Sequence, residues 1–316
     1  MIKNKVCIIG AGMVGSATMI SILNSGLVAE IVMIDKNEKK AEGEALDAFH
    51  TTSFTYMPNV LIRKGDYEDC KDAQIIVMSA GPSVKPDEKL DRRILTKTNA
   101  DVTREVMKEI IKYTKDAIII FVSNPVDVVT YVAQNEFDYP KHKIIGSGTL
   151  LDTARMRRII GRHYLIDTKN VHGYILGEHG LTAMATWSLC NIGGIPLSEC
   201  SEKLGKPILN KEEVLKEVVE AGMKILVAKG FTNYGIAEAV ARLIKAIVLN
   251  ELSVLPVSTT LNGEYGVNDV AVSVPCIIGQ HGIESIMDVP LTDEEYNKLR
   301  ISAESLKNLM KEFEII

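Results

Sequence analysis

The sequence predicts an α/β protein: a doubly wound, mostly parallel sheet in the first half, followed by an α+β unit. Three observations predict it. Short apolar runs rich in Ile and Val alternate with helix-like stretches from Lys5 to Val122. Such runs are the mark of parallel strands buried on both faces and covered by helices. A glycine-rich turn, Gly10-Ala11-Gly12-Met13-Val14-Gly15, falls between the first run and the first helical stretch. Beyond Asn170 the rhythm changes to strand-like pairs and long amphipathic helices.

In order, residues 5–9 read as a buried strand and 13–24 as a helix. Residues 31–34 form a second strand and 38–49 a second helix. Residues 74–79 and 118–122 are further strands, with a long helical pattern over 90–113 between them. Ligands bind beyond the carboxyl ends of strands in such sheets. That rule gathers the turns after Ile9, Ile34, Ser79 and Val122 around one crevice. Pro125 suits the first turn of a helix, and a helix is also expected around Asp152. In the second half, residues 171–176 and 182–188 read as antiparallel strands flanking Gly177-Glu178-His179-Gly180. Residues 211–228 and 236–249 are helical, and 253–259 and 270–278 return to strands, with Asn262-Gly263 and Asn268-Asp269 as turn signals. Residues 291–313 carry a terminal helix, with Thr292 and Glu295 spaced as a capping box. No linker interrupts the chain, so the boundary near residue 145 is expected without a hinge, the two halves sharing an interface.

The bulk numbers exclude several classes. A formal net charge of −5 argues against non-specific nucleic-acid binding, which needs a basic surface. No apolar run approaches the roughly 20 residues that span a bilayer. Residues 1–5 lead straight into the first strand without a signal-peptide cleavage region. The cysteines Cys7, Cys70, Cys190, Cys200 and Cys276 are odd in number and lack CxxC spacing. Buried, reduced thiols in a cytoplasmic protein are expected, and no metal site.

The glycine-rich turn carries the first piece of chemistry. The first glycine permits the tight turn, the second lets the backbone approach a pyrophosphate, and the third allows close helix–strand contact. The helix N-terminus favours the anion. Asp35 ends the next strand about 20 residues on, where a carboxylate takes the ribose hydroxyls of NAD and repels the 2′-phosphate of NADP. NAD is the expected cofactor. Asn124, in Ser123-Asn124-Pro125-Val126-Asp127, could reach a substrate oxygen or the nicotinamide ribose, or simply cap a helix.

The second piece is Gly177-Glu178-His179-Gly180 with Leu151-Asp152-Thr153-Ala154-Arg155. An imidazole exchanges a proton near neutral pH. A neighbouring carboxylate raises its pKa and fixes the ring. A guanidinium holds a substrate carboxylate with two parallel hydrogen bonds. Asp152 and Arg155 stand three apart on the expected helix and so share a face.

With these motifs in order, the chain resembles the lactate/malate dehydrogenase family over essentially its full length. The set GAGMVG, Asp35, Ala80-Gly81, Asp91-Arg92, SNPVD, GSGTLLDTARMR, GEHG and KGFTNYGIA carries the resemblance. Its details lean toward the L-lactate and L-2-hydroxyisocaproate dehydrogenase side. The resemblance implies a Rossmann-type NAD-binding domain over residues 1–145 and a substrate-binding domain over 146–316. It implies His179 as proton donor and acceptor, Asp152 as its partner and Arg155 as the clamp on the substrate carboxylate. Arg92 would be the mobile-loop arginine that polarises the carbonyl, and Asn124 a ligand of the substrate oxygen. Thr232 would form the pocket floor and Ile236 an apolar contact to nicotinamide. Gly10, Gly12, Met13, Val14, Gly15, Asp35, Ala80 and Gly81 would line the cofactor. A small 2-oxo or 2-hydroxy acid is the implied partner, with a homotetramer or homodimer as the assembly.

The chain departs from the family in the segment from Ala80 to Arg92, which is about two residues longer than usual and puts Val84 where lactate enzymes carry glutamine and malate enzymes arginine. An unpaired second carboxylate cannot be buried cheaply, so Val84 disfavours malate unless Lys85 takes that place. Leu181 follows GEHG where most relatives are polar. A substrate side chain larger than methyl is therefore expected, with malate as the alternative. Arg157 and His172 match basic positions of an anion site in some bacterial lactate dehydrogenases, which makes fructose 1,6-bisphosphate a candidate effector. A non-catalytic nucleotide-binding protein and a metal-dependent glycosidase are remoter alternatives. The full residue set opposes the first and the lack of a metal-binding Cys/His pair the second.

Overall fold

The computed structural model describes residues 4–55, 57, 59–82 and 92–316, without the side chains of 92–94. Strand β1 (Lys5–Ile9) leads into α1 (Met13–Ser25), β2 (Glu30–Ile34) into α2 (Glu38–Thr51). Then come β3 (Leu61–Lys64), β4 (Ile75–Met78), α3 (Arg92–Ile110), β5 (Ile118–Phe121), α4 (Val126–Asn135) and β6 (Ile144–Gly146). These six strands are parallel in the order β6-β5-β4-β1-β2-β3. β1, β4 and β5 are buried along their whole length, as their continuous apolar runs require. The short β3 and β6 escape the sequence reading, because three or four residues carry too little periodicity to identify.

The second half opens with α5 (Leu150–Tyr164). The two strands expected around GEHG are shorter and more divided than their sequence implies. β7 (Val171–His172) and β8 (Ile175–Leu176) are separated at Gly173, whose φ of 138° interrupts the extended backbone. β8 pairs antiparallel with β9 (Met184–Ala185), as expected, whereas β7 pairs with β10 (Asn191–Ile192), which in turn pairs with β11 (Ile195–Pro196). Helices α6 (Leu197–Leu204), α7 (Lys211–Lys229) and α8 (Tyr234–Val248) follow. The chain ends with β12 (Ser253–Asn262), β13 (Asn268–Gly279), β14 (Gly282–Ile286) and α9 (Asp293–Glu312). The expected capping box at Thr292 and Glu295 is formed.

The last three strands do not build a separate sheet. They run antiparallel and join the edge of β6 through Ser258 and Gly146, so one nine-stranded sheet crosses both halves. A Cβ at Gly146 would lie 2.8 Å from the Ser258 Cβ and 2.3 Å from the Thr130 hydroxyl, so only glycine permits this seam. One apolar core accordingly runs from Val6 and Ile8 through Ile145 to Val257, Val272 and Leu306. All five cysteines are buried and unpaired. No helix among the described residues is long and apolar enough to cross a membrane.

Candidate active site

The glycine-rich turn sits where β1 stops and α1 begins. Gly10 takes a φ of 108°, and a Cβ there would meet the Ala80 amide nitrogen at 2.7 Å. A Cβ on Gly15 would fall 1.9 Å from the Gly10 carbonyl oxygen, so α1 can lie against β1 only because residue 15 has no side chain. A Cβ on Gly12 would meet nothing within 4 Å: above that residue the turn is open. Gly12 caps α1 without a side-chain hydrogen bond, and no acidic residue occupies the first turn. Among the described residues no side chain caps the amide groups there, which leaves them to meet an anion. These residues fit the pyrophosphate of a dinucleotide.

Asp35 closes β2 beside this turn. Its Oδ2 accepts the Ala11 amide at 2.7 Å and its Oδ1 the Asn37 amide at 2.8 Å. The carboxylate thus braces the turn, and each oxygen keeps lone-pair capacity for a ribose hydroxyl. The ends of β4 and β5 are tied together next to it. The Ser123 hydroxyl donates to the Ala80 carbonyl at 2.7 Å, and Asn99 Nδ2 donates to the Asn124 carbonyl at 2.6 Å and to that of Pro82 at 3.2 Å. Gly81, with a φ of 132°, packs directly on Asn99. Asn124 is exposed at this edge, and Pro125 is the N-cap of α4, one position earlier than the sequence implies.

His179 stands in the turn between β8 and β9. Its Nδ1 meets Asp152 Oδ2 at 2.5 Å, and Arg155 Nη1 donates to Asp152 Oδ1 at 2.8 Å. The Asp152 side chain is 7% exposed and that of His179 is 28% exposed. The cluster is therefore buried beneath and open above. Burial works against the His179 cation, but the adjoining Asp152 carboxylate overrides it and holds the imidazole above its usual pKa. Burial likewise opposes the Asp152 anion, yet His179 and Arg155 together keep its carboxyl below the usual range. Arg155 shares a face with Asp152 as expected, but one of its nitrogens is engaged by Asp152 instead of reaching solvent-side space. Its remaining N–H groups are what a substrate carboxylate could use.

The turn bearing His179 is fastened from three sides. Gly177 exchanges both main-chain hydrogen bonds with Ser273 of β13, at 2.9 and 3.0 Å. The Ser302 hydroxyl of α9 accepts the Glu178 amide at 2.8 Å. Asp127 Oδ2, at the start of α4, accepts the His179 amide at 2.8 Å. Sequence reasoning misses Ser273, Ser302 and Asp127. Asp127 stands within SNPVD, but an acid in the first turn of a helix reads as ordinary dipole stabilisation.

The other expected residues are placed as follows. Gly235, between Thr232 and Ile236, packs on the Leu151 side chain, which brings the start of α8 beside α5. Thr232 is half-buried just ahead of α8, and Ile236 packs against the main core. Arg157 donates from Nη2 and Nε to the Gly173 carbonyl at 3.0 and 3.2 Å and lies over the Tyr174 ring, next to the exposed His172. Arg92 opens α3, but its side chain lies outside what is described, and Val84 lies outside the described residues altogether. Met13 and Val14 begin α1 behind the glycine turn. Among the described residues no cluster of His, Cys, Asp or Glu is arranged to hold a metal ion.

A dinucleotide turn and a histidine–carboxylate–guanidinium cluster in one chain define a nicotinamide-dependent dehydrogenase. The chain belongs to the lactate/malate dehydrogenase family. Residues 4–146 match that family's NAD binding domain and residues 149–315 its alpha/beta C-terminal domain. L-lactate dehydrogenase 2 of Clostridium acetobutylicum is 58% identical over 98% of this chain and 97% of its own length. The L-lactate dehydrogenase of Selenomonas ruminantium is 45% identical over 98% of this chain and 97% of its own. Among solved structures, the minor L-lactate dehydrogenase of Enterococcus mundtii superimposes with a TM-score of 0.92 at 39% identity, covering 98% of each chain. A lactate dehydrogenase from a Medee basin deep-sea metagenome library gives 0.93 at 36% identity, over 99% of this chain and 100% of that one. The chain is an L-lactate-dehydrogenase-like oxidoreductase, and its cofactor is NAD.

Proposed function

We propose that the protein interconverts a 2-oxo acid and the corresponding L-2-hydroxy acid, with His179 as the proton carrier. The observation that supports this most directly is the 2.5 Å contact of His179 Nδ1 with Asp152, itself bonded to Arg155. With Nδ1 held by the carboxylate, Nε2 is the nitrogen left to face a substrate oxygen. Bound NADH supplies the hydride to the carbonyl carbon. His179, as imidazolium, gives its proton to the carbonyl oxygen, and in reverse the neutral ring takes the hydroxyl proton. Arg155 holds the substrate carboxylate and Arg92 favours negative charge on the reacting oxygen. Asn124 and Thr232 complete the substrate pocket. Gly10, Gly12, Met13, Val14, Gly15, Asp35, Ala80, Gly81 and Ile236 accommodate the cofactor.

Within this reading, the pocket takes a side chain larger than methyl. Val84 and the lengthened segment around it support this, as does Leu181, whose apolar side chain is 73% exposed beside the catalytic turn. Steady-state kinetics with pyruvate, 2-oxoisocaproate, phenylpyruvate and oxaloacetate test it. The bulkier monocarboxylates should match or exceed pyruvate in kcat/KM, and a strong preference for oxaloacetate would make the protein a malate dehydrogenase. The domain division at residues 145 and 146 belongs to the same proposal, as does work in the cytoplasm. A homodimer or homotetramer is supported by the apolar groove between α2 and β3, where Leu46, Phe49 and Leu61 are exposed. A monomeric mass in light scattering would remove it. Arg157 and His172 are proposed to receive fructose 1,6-bisphosphate, and unchanged activity on its addition would dismiss that role.

A further inference from the structure

The catalytic turn rests on a second carboxylate that the mechanism above does not use. Asp127 is the second residue of α4 and is only 2% exposed. Its Oδ2 accepts the main-chain N–H of His179 at 2.8 Å, while Oδ1 has no partner of good geometry among the described residues. His179 is thus held twice by acids: through its ring by Asp152 of α5, and through its backbone by Asp127 of α4. The two acids belong to different halves of the chain. Asp127 follows the β5 turn that carries Asn124 beside the cofactor edge, whereas Asp152 lies in the substrate half.

We propose that Asp127 is a positioning residue for proton transfer: its ionised carboxylate anchors the His179 main chain to the cofactor half and so sets where the imidazole meets the substrate. This rests on the reading of His179 as the proton carrier. A neutral hydrogen-bonding residue would satisfy the amide as well, and a buried carboxylate costs far more to place there. Its charge therefore has a use beyond the bond. Among the described residues the charged groups facing His179 are Asp152 and Arg155 from α5 and Asp127 from α4, with Glu178 of the same turn facing Asp127. Asp127 adds to the field of Asp152 in favour of the imidazolium, and Arg155 opposes both.

The test is a pair of variants with one control. Asp127→Asn keeps an acceptor for the His179 amide and removes the charge. Asp127→Ala removes both. Each is assayed for NADH binding by fluorescence and for folding by thermal melting. Pyruvate reduction is followed across pH to give kcat and KM. Both variants should bind NADH as the parent does. Asp127→Asn should shift the pH at which reduction falls off downward by about half a unit, with KM little changed. Asp127→Ala should show that shift and lose about 10- to 100-fold in kcat, because a small misplacement of a reacting group is costly. If Asp127→Asn keeps the parental pH profile, the proposal is overturned, whether or not Asp127→Ala folds. His179→Asn separates the two ideas. Should it turn over normally, the proton-carrier reading fails. Should it be inactive while both Asp127 variants match the parent, only the role of Asp127 fails.

Discussion

Replacing Asp152 by asparagine tests the chemistry most sharply, because it removes the main support of the His179 cation and leaves both opposing influences in place. Partial burial disfavours the His179 cation, and the adjoining Asp152 carboxylate at 2.5 Å, with a smaller contribution from Asp127, more than restores the ordinary value. In Asp152→Asn the burial remains and the compensating charge is gone. Arg155 opposes the cation as it does in the parent, now without the Asp152 charge to offset it. Losing an opposite charge in contact typically moves a pKa by about 1–3 units, each about 1.4 kcal/mol. Reduction of a 2-oxo acid needs protonated His179, so its rate falls as pH rises through the His179 pKa. In the parent that fall comes above the usual histidine range near 6.5; in the variant it should come below it. At a pH above both midpoints the loss in kcat/KM is then about 10- to 1000-fold. An amide that donates to Nδ1 bonds only the neutral ring with its proton on Nε2, which lowers the midpoint further and removes the base that oxidation needs. The assay is kcat/KM for reduction from about pH 5 to about pH 9, read by NADH absorbance, with NADH affinity as a control. A variant whose midpoint stays at the parental pH would refute the assignment of Asp152 as the source of the raised pKa, and with it the acid–base pair.

Other outcomes follow from the same geometry. Gly12→Ala should melt like the parent yet bind NADH more weakly, since its Cβ enters only the open space over the turn; Gly15→Ala should lose both stability, by about 2 kcal/mol or more, and NADH affinity, because its Cβ has no room. Equal behaviour of the two in melting and fluorescence titration would contradict that distinction. Asp35→Ala removes acceptors from Ala11 and Asn37, so it should cost about 1–3 kcal/mol in stability, weaken NAD binding and relax discrimination against NADP. Retained NAD selectivity in kcat/KM would show that specificity lies elsewhere. Burial pushes the Asp127 carboxyl up to about 6 from 3.8, against the pull of the Ser258 hydroxyl, which lies outside good hydrogen-bond geometry, and of the His179 amide. The native state then binds the extra proton between those values, so this group lowers stability by about 3 kcal/mol as pH rises from about 4 to about 6. Asp127→Asn should therefore melt near the parent at about pH 4 and well above it at about pH 7, and a difference independent of pH would disprove the buried charge.

The sequence by itself determined the elements whose signals are local. β1, the glycine turn, α1 and Asp35 were legible because strand burial, helix period and the backbone demands of a tight turn are written in neighbouring residues. The Asp152–Arg155 face was legible for the same reason, being one helical turn. The His179–Asp152 pairing was expected through chemistry and family resemblance, but the residues stand 27 apart, and only the fold brings them into contact. Asp127 lies 52 residues from His179, and nothing local marks its carboxylate as facing that amide. The joining of β12 to β6 was equally hidden, because pairing at a sheet edge depends on which strands arrive there and on a glycine where two backbones close. Tertiary structure decided these matters because hydrogen bonds across long loops are selected by the packing of whole layers, which no short window of sequence contains.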